Sequence, residues 1–178
     1  MDIMWAPWIM RYVKYEALNR ERGCFLCKAF TSEKPEERLV VYRGEDGLVV
    51  MNLYPYNTGH LLVAPIRHVP SLEDLSDEEI RSLFKLVKRS LSLLRRALKP
   101  DGFNVGVNIG RVAGAGLEDH VHVHIVPRWN GDTNFMPIIA DTKVIPEALR
   151  DTYNTLMRYR DVLYADSKGS SRQPSQCP

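Results

Sequence analysis

A chain of 178 residues, 44% of them hydrophobic, can bury one proper core and is too short to favour two domains. Its 24 basic and 22 acidic residues nearly cancel, so overall charge gives no reason to expect a nucleic-acid or membrane surface, and any phosphate recognition must be local. No stretch nears the roughly 18 uninterrupted apolar residues of a membrane span, and the opening MDIMWAPWIMRYVKYE lacks the basic start and apolar centre of an export signal, so a cytoplasmic protein is expected.

Along the chain, the first motif is Cys24-Phe-Leu-Cys27, a spacing used for metal ligands or for thiol redox chemistry. A cytoplasmic chain with three cysteines is not expected to carry a disulfide framework. From Arg38 the text RLVVYRGEDGLVVMNLYPYNTGHLLVAP gives two β-branched runs joined by Gly-Glu-Asp-Gly and a third after Asn57-Thr58-Gly59, which predicts a three-strand antiparallel meander. Ser76-Asp-Glu-Glu79 is a capping box. Behind it Ile80, Phe84, Val87, Leu91, Leu94 and Leu98 recur at steps of four and three, predicting an amphipathic helix over 77–98.

Pro100-Asp-Gly102 breaks that helix, FNVGVNI reads as a fourth strand, GRVAGAGLED as a small-residue loop, and HVHVHIV as a fifth strand. A second helix is expected over 147–164. The tail 166–178 is Ser, Gly, Pro and Gln rich and is expected to be disordered, leaving one domain over 1–165 with an N-terminal extension. The expected fold is α+β, a five-stranded, mainly antiparallel sheet with packed helices.

Three of the five histidines fall in the five residues 120–124, alternating with Val121 and Val123. On a strand His120, His122 and His124 would share one face and Val121, Val123 and Ile125 the other. The plain alternative is a solvated strand face that happens to use histidine. Residues two apart on a strand are separated by about 7 Å and residues four apart by about 13 Å, so one metal ion cannot take all three rings. A pair could ligate an ion, or one neutral imidazole could act as nucleophile, with one nitrogen free and the other pinned by a hydrogen bond. For phosphorus chemistry the neighbouring donors would surround the non-bridging oxygens, and the glycines of GRVAGAG could bring backbone N–H groups close to an anion, although such a run is also an ordinary turn.

His120-Val-His-Val-His124-Ile-Val resembles the His-x-His-x-His signature of the histidine triad superfamily of nucleotide hydrolases and transferases, and NTGHLLVAP resembles that family's other patterned segment. WAPW, CFLC, NLYPYNTGHLLV, FNVGVNIG, HVHIVPRWNGDTNF and TKVIPEALRDTY look most like the diadenosine tetraphosphate phosphorylase branch, related to the fragile-histidine-triad hydrolases. The resemblance implies a HIT-like fold and a homodimer with a continuous sheet. It implies binding of adenine nucleotides or dinucleoside polyphosphates and cleavage at the α-phosphate through a nucleotidyl-histidine intermediate.

By position, His122 would be the nucleophile, with His124 and His60 around the phosphate oxygens. Asn52 would bind the ribose, and Asn108 with Gly114, Ala115 and Gly116 would form the phosphate loop. Hydrolases of the family carry a Gln after the Ala-Gly of this loop and the phosphorylase branch a small residue and then Ser. Here Ala115 and Gly116 stand there, so the sequence leaves open whether water or inorganic phosphate is the acceptor, with phosphate the preferred expectation.

The resemblance also implies a structural zinc on Cys24, Cys27, His68 and His120, a donor set of two thiolates and two imidazoles that suits a tetrahedral ion. The alternative is a buried reduced cysteine pair with a surface His68. Two rival functions remain at this level. One is a metal hydrolase with a catalytic ion on His120 and His122, for which only Glu118 and Asp119 are near in sequence and Asp119 alternates away. The other is a nucleotide-binding protein without catalysis. No basic arm or added zinc finger singles out nucleic acid as partner.

Overall fold

The computed structural model describes residues 23–132, 145 and 147–164. The expectations for the N-terminal extension, for the Thr133–Phe135 end of the GDTNF segment and for the tail from 166 lie outside these residues. The meander forms as the turn chemistry dictates. Strand β1 (Val40–Gly44) turns through Glu45-Asp46 into β2 (Gly47–Met51), and β3 (Leu61–Ala64) pairs antiparallel with β2, Leu48 opposite Ala64. Gly47 is required at this turn: it has φ +133°, and a Cβ there would lie 2.5 Å from the Ala64 carbonyl oxygen.

Two further strands complete the sheet, β4 (Gly102–Val107) and β5 (Val123–Arg128), and all pairs are antiparallel in the order β1-β2-β3-β5-β4. The expected α+β architecture is therefore present. The near-continuous apolar runs of β1 to β3 have a simple cause, since both faces of this part of the sheet are covered. Val41, Val49, Met51, Leu61 and Val63 pack into the larger core. Val40, Leu48, Val50, Leu62 and Ala64 form a second cluster with Leu26 and Ala29 of α1 (Phe25–Thr31), a helix the sequence reading did not foresee.

Helix α2 (Asp77–Leu98) begins on the expected capping box. The Glu79 N–H donates to Ser76 Oγ at 3.3 Å, and the Ser76 N–H donates to the Glu79 carboxylate at 2.7 Å. It stops where Lys99 turns left-handed at φ +50° before Pro100. Its buried stripe differs from the expected one. Leu83, Leu86, Val87, Ser90, Leu93 and Leu94 are buried, whereas Phe84 is 47% exposed and Ile80, Leu91 and Leu98 only flank the core. The helix has more apolar residues than one stripe can hold, and the sheet takes the Leu83–Leu86–Leu93 side. Nor do all its charges face solvent: Arg89 reaches Asp46 of the β1–β2 turn at 2.9 Å and the Leu163 carbonyl at 3.2 Å.

The C-terminal helix expected over 147–164 is two pieces, α3 (Leu149–Met157) and α4 (Asp161–Tyr164), with Leu156 and Leu163 fully buried against the larger core. The histidine run is also only partly strand. β5 starts at Val123, so His120 and His122 precede it and His124 alone lies in the ladder. The alternation survives nonetheless, because Val121, Val123 and Ile125 are all buried in the larger core.

Candidate active site

His60, His122 and His124 come together at the junction of β3 and β5. The His122 and His124 ring centroids lie 4.8 Å apart and those of His60 and His124 5.2 Å apart. Two kinds of obligatory partner fix which nitrogen of each ring carries the proton. The His60 Nδ1 accepts the Tyr56 backbone N–H at 3.1 Å and lies 3.3 Å from the Asn52 amide nitrogen, so its proton sits on Nε2. Nε2–H then donates to His124 Nδ1 at 3.0 Å, which leaves His124 with its own Nε2–H as a donor. His122 is the reverse case. Its Nδ1 lies 2.8 Å from the His120 carbonyl oxygen and must donate to it, so Nε2 keeps a free lone pair.

Burial keeps these rings neutral. Desolvation first, and the neighbouring imidazoles second, push His60 down to about 3 and His124 down to about 4 from an ordinary 6.5. Desolvation also lowers His122, opposed by its bond to the His120 carbonyl. A neutral imidazole with a bare nitrogen beside a ring that presents N–H can attack an electrophilic phosphorus while the neighbour stabilises the oxygens. Tyr56 covers the pair, its ring parallel to His124 at 5.9 Å and tilted over His60 at 4.7 Å.

The other expected site residues are nearby in part. Asn52 sits at the end of β2 as a turn cap, its Oδ1 accepting the Tyr54 N–H at 3.0 Å while its amide reaches His60. Asn108 follows β4, and its amide donates to the Gly114 carbonyl at 3.4 Å, bracing the loop. Within that loop a 3-10 turn, Arg111–Ala113, engages two of the expected anion donors internally. The Gly114 N–H bonds the Arg111 carbonyl at 3.0 Å and the Ala115 N–H the Gly110 carbonyl at 3.4 Å, so of the three residues Gly116 is the one whose N–H is not engaged inside the loop. Ala115 is buried and Gly116 exposed.

His120 turns the other way, toward Cys24, Cys27 and His68. One ligand atom from each of these four residues lies within 4.8 Å of all the others, and this is the group of potential metal ligands among the described residues. The His120 Nδ1 is 3.3 Å from Cys24 Sγ, 3.6 Å from Cys27 Sγ and 3.3 Å from His68 Nδ1, and Cys27 Sγ is 3.4 Å from His68 Nδ1. An ion with tetrahedral bonds of about 2.0–2.3 Å separates its ligand atoms by about 3.3–3.8 Å, the range of these four spacings within a group that spans up to 4.8 Å. The His120 Nε2–H donates to the Pro65 carbonyl at 3.0 Å, the kind of partner that turns the opposite nitrogen toward a metal. Burial pushes the Cys24 thiol up to about 11. The residues present therefore fit a tetrahedral thiolate–imidazole site. A catalytic ion shared by His120 and His122 does not fit, since the His120 Nδ1 faces Cys24, Cys27 and His68 and its Nε2 is engaged by the Pro65 carbonyl, and Asp119 is exposed outside the group.

Residues that the sequence did not single out also frame the site. Asn57 and Asp132 bond to each other at 2.8 Å, and Arg128 joins them. Asn57 reads in sequence as an ordinary turn residue and Asp132 as part of a polar turn, so neither carries a chemical signal of its own.

Residues 33–131 match the HIT domain family. The AP-4-A phosphorylase of Mycobacterium tuberculosis is 45% identical over 159 residues, which cover 86% of this chain and 81% of that protein. The asymmetrical bis(5'-nucleosyl)-tetraphosphatase of Schizosaccharomyces pombe is 36% identical over 103 residues, 58% of this chain and 56% of that one. Among solved structures, a histidine triad nucleotide-binding protein of Sulfolobus tokodaii superposes with a TM-score of 0.63 at 30% identity, covering 79% of this chain and 92% of its own. A zinc-bound histidine triad family protein of Mycobacterium smegmatis, at 24% identity, shares the fold with a TM-score of 0.63 over 80% of this chain and 96% of that one. With the histidine signature, its five-stranded sheet and more than half the chain matched, the protein belongs to the HIT domain family.

Proposed function

We propose that this protein cleaves dinucleoside polyphosphates, with diadenosine tetraphosphate as the reference substrate, by nucleotidyl transfer through His122 and with inorganic phosphate as acceptor. The observation that carries this reading is the bare Nε2 of His122 beside the Nε2–H of His124. His122 Nε2 attacks the α-phosphorus, a P–N bond forms, and the P–O bond to the departing nucleoside triphosphate breaks. The Nδ1–H stays bonded to the His120 carbonyl and shares the positive charge of the phosphoramidate ring. His124 and His60 donate along one chain toward the phosphate oxygens, and Asn52 is positioned for the ribose. An incoming phosphate then displaces His122, giving ADP. The 45% identity to a protein called AP-4-A phosphorylase supports the choice of substrate and acceptor.

A hydrolytic reading is favoured by one observation. The Gly114 and Ala115 N–H groups are engaged inside their own loop, which leaves Gly116, Asn108 and the exposed Arg111 to hold a phosphate acceptor. The test is the product. With diadenosine tetraphosphate and excess phosphate we expect ADP plus ATP, whereas AMP plus ATP at every phosphate concentration makes the enzyme a hydrolase. Binding with no turnover of either kind would leave a nucleotide-binding protein.

Three further assignments belong to this reading. Cys24, Cys27, His68 and His120 hold a structural zinc ion, the group whose charge would ionise both thiols. The protein works in the cytoplasm. None of the helices among the described residues is long and apolar enough to cross a membrane, and a reducing compartment keeps a Cys-x-x-Cys pair available to hold an ion. Residues 1–165 form a single HIT domain that assembles as a homodimer through the sheet.

A further inference from the structure

We propose that Asp132, acting through Asn57, is a positioning residue for the His60–His124 pair. The proposal rests on the reading above only for its kinetic consequence, since the geometry concerns the two rings themselves.

The Asp132 carboxylate is 7% exposed and takes the N–H donors of three residues. The Arg128 guanidinium forks onto it, Nε at 2.6 Å and a terminal nitrogen at 2.8 Å. The Trp129 backbone N–H donates at 3.1 Å and the Asn57 amide at 2.8 Å. The remaining Arg128 nitrogen donates to Asn104 Oδ1 on β4 at 2.8 Å. A buried carboxylate with this many donors is a fixed point, because losing it would strand a guanidinium fork and two further N–H groups at once.

Asn57 carries that fixed point into the site. The Asn57 side chain is buried, and its amide nitrogen donates both to Asp132 and, at 3.0 Å, to the carbonyl of Pro127, three residues beyond His124 on β5. Both partners are acceptors, so the amide has one orientation. The Asn57 main-chain carbonyl accepts the His60 N–H at 3.2 Å and closes a turn that needs Gly59 at φ +75°, where a Cβ would lie 2.4 Å from Leu98. The residue before Asn57 is Tyr56, whose N–H sets the His60 tautomer. One anchored amide thus fixes the backbone on both sides of the hydrogen bond that decides where the His60 proton sits. It also ties that turn to the strand carrying His124. Without it the Tyr56 N–H can drift from His60 Nδ1, and the proton order His60 Nε2–H to His124 Nδ1 is no longer enforced.

The test compares the zinc-loaded, full-length wild type with Asp132→Asn, Asn57→Ala and the double variant, by imidazole 15N NMR without substrate and by kinetics with diadenosine tetraphosphate. We expect wild-type spectra with His60 and His124 each in the single Nε2–H form, and a mixture of tautomers at both in every variant. The kcat should fall about tenfold or more, the scale of a small misplacement at a reacting centre, with KM within about twofold. The double variant should be no slower than the slower single one, since both residues act through one link. Unchanged tautomers in the variants, or losses that multiply in the double variant, would overturn the proposal. Should Asp132→Asn not fold, the tautomers of Asn57→Ala alone decide the matter in the same way. If the wild type proves not to turn over diadenosine tetraphosphate, that failure belongs to the proposed reaction, and the spectra still decide this point.

Discussion

His122 donates its Nδ1–H to the main-chain carbonyl of His120 at 2.8 Å, and the ring of that same His120 faces Cys24, Cys27 and His68. One residue thus joins the Cys/His group with its side chain and fixes the His122 ring with its backbone.

On the proposed reaction, replacing His122 by Ala or Gly removes the attacking lone pair and little that holds the nucleotide. We expect kcat to fall by at least about a thousandfold while nucleotide affinity stays within a few-fold. Wild type mixed with labelled substrate and quenched should carry nucleotide on the protein, stable in base and released by acid as a phosphoramidate. Activity within tenfold of wild type would remove His122 from the nucleophile role.

Purified protein should contain about one zinc per chain, and a Cys24→Ser/Cys27→Ser variant should contain none. Tetrahedral sites of this kind contribute folding free energy because the unfolded chain does not preassemble them. A loss of about 3 kcal/mol corresponds to a Tm lower by about 6–12 °C at this size. Metal analysis finding no zinc, together with an unchanged Tm in the variant, would return the cysteines to the role of core thiols.

Acid should weaken the fold through the buried histidines. His60 and His124 titrate near 3 and 4 when folded and near 6.5 when exposed. Between pH 6.5 and about 4 the unfolded chain therefore binds protons that the folded chain refuses, so stability falls as pH falls, by up to about 1.4 kcal/mol per unit for each ring. Below the folded values the loss levels off. Urea midpoints at pH 7.5, 6 and 5 should decline stepwise, and His60→Gln should flatten the decline in part, with the other buried histidines supplying the rest. A midpoint constant over this range would contradict the buried neutral pair.

The sheet has β4 at one end, with β5 as its one neighbour among the described residues, and Val105 on it is 46% exposed. An apolar edge of this kind needs a cover, and a second copy related by a two-fold axis would supply one. Sedimentation at micromolar concentration should give twice the chain mass, and Val105→Lys should shift it to the monomer. A monomeric wild type would refute the continuous sheet.

Much of the fold was legible because local chemistry wrote it. Glycine-bounded β-branched runs gave the meander, and Ser76 with Glu79 gave the start of α2. What could not be read depends on partners distant in sequence. The packed side of α2 was set by the sheet, which left Phe84 outside. The strand status of His120 and His122 was decided by where the pairing stops, at Val123, which faces Val63 of β3 on one side and Val107 of β4 on the other. In the site, the His-Val alternation and the Cys-x-x-Cys spacing pointed to the residues that now lie together. Asn57 and Asp132 gave no signal, because a turn asparagine and a buried carboxylate anchor look alike in sequence until 75 residues of chain bring them into contact.

The strand order has a kinetic consequence. β1 and β2 join through two residues and α2 holds itself by its own turns, but His60 and His124 stand 64 residues apart and meet only when β5 docks on β3, with α2 and β4 in the loop of chain so closed. Closing so long a loop costs entropy that local contacts do not repay until the strands zip, so this pairing should be the late event of folding. A refolding chain then regains most of its helical signal before it regains the proton order of its histidines, and returning activity reports the closure of the β3–β5 ladder rather than the collapse of the chain.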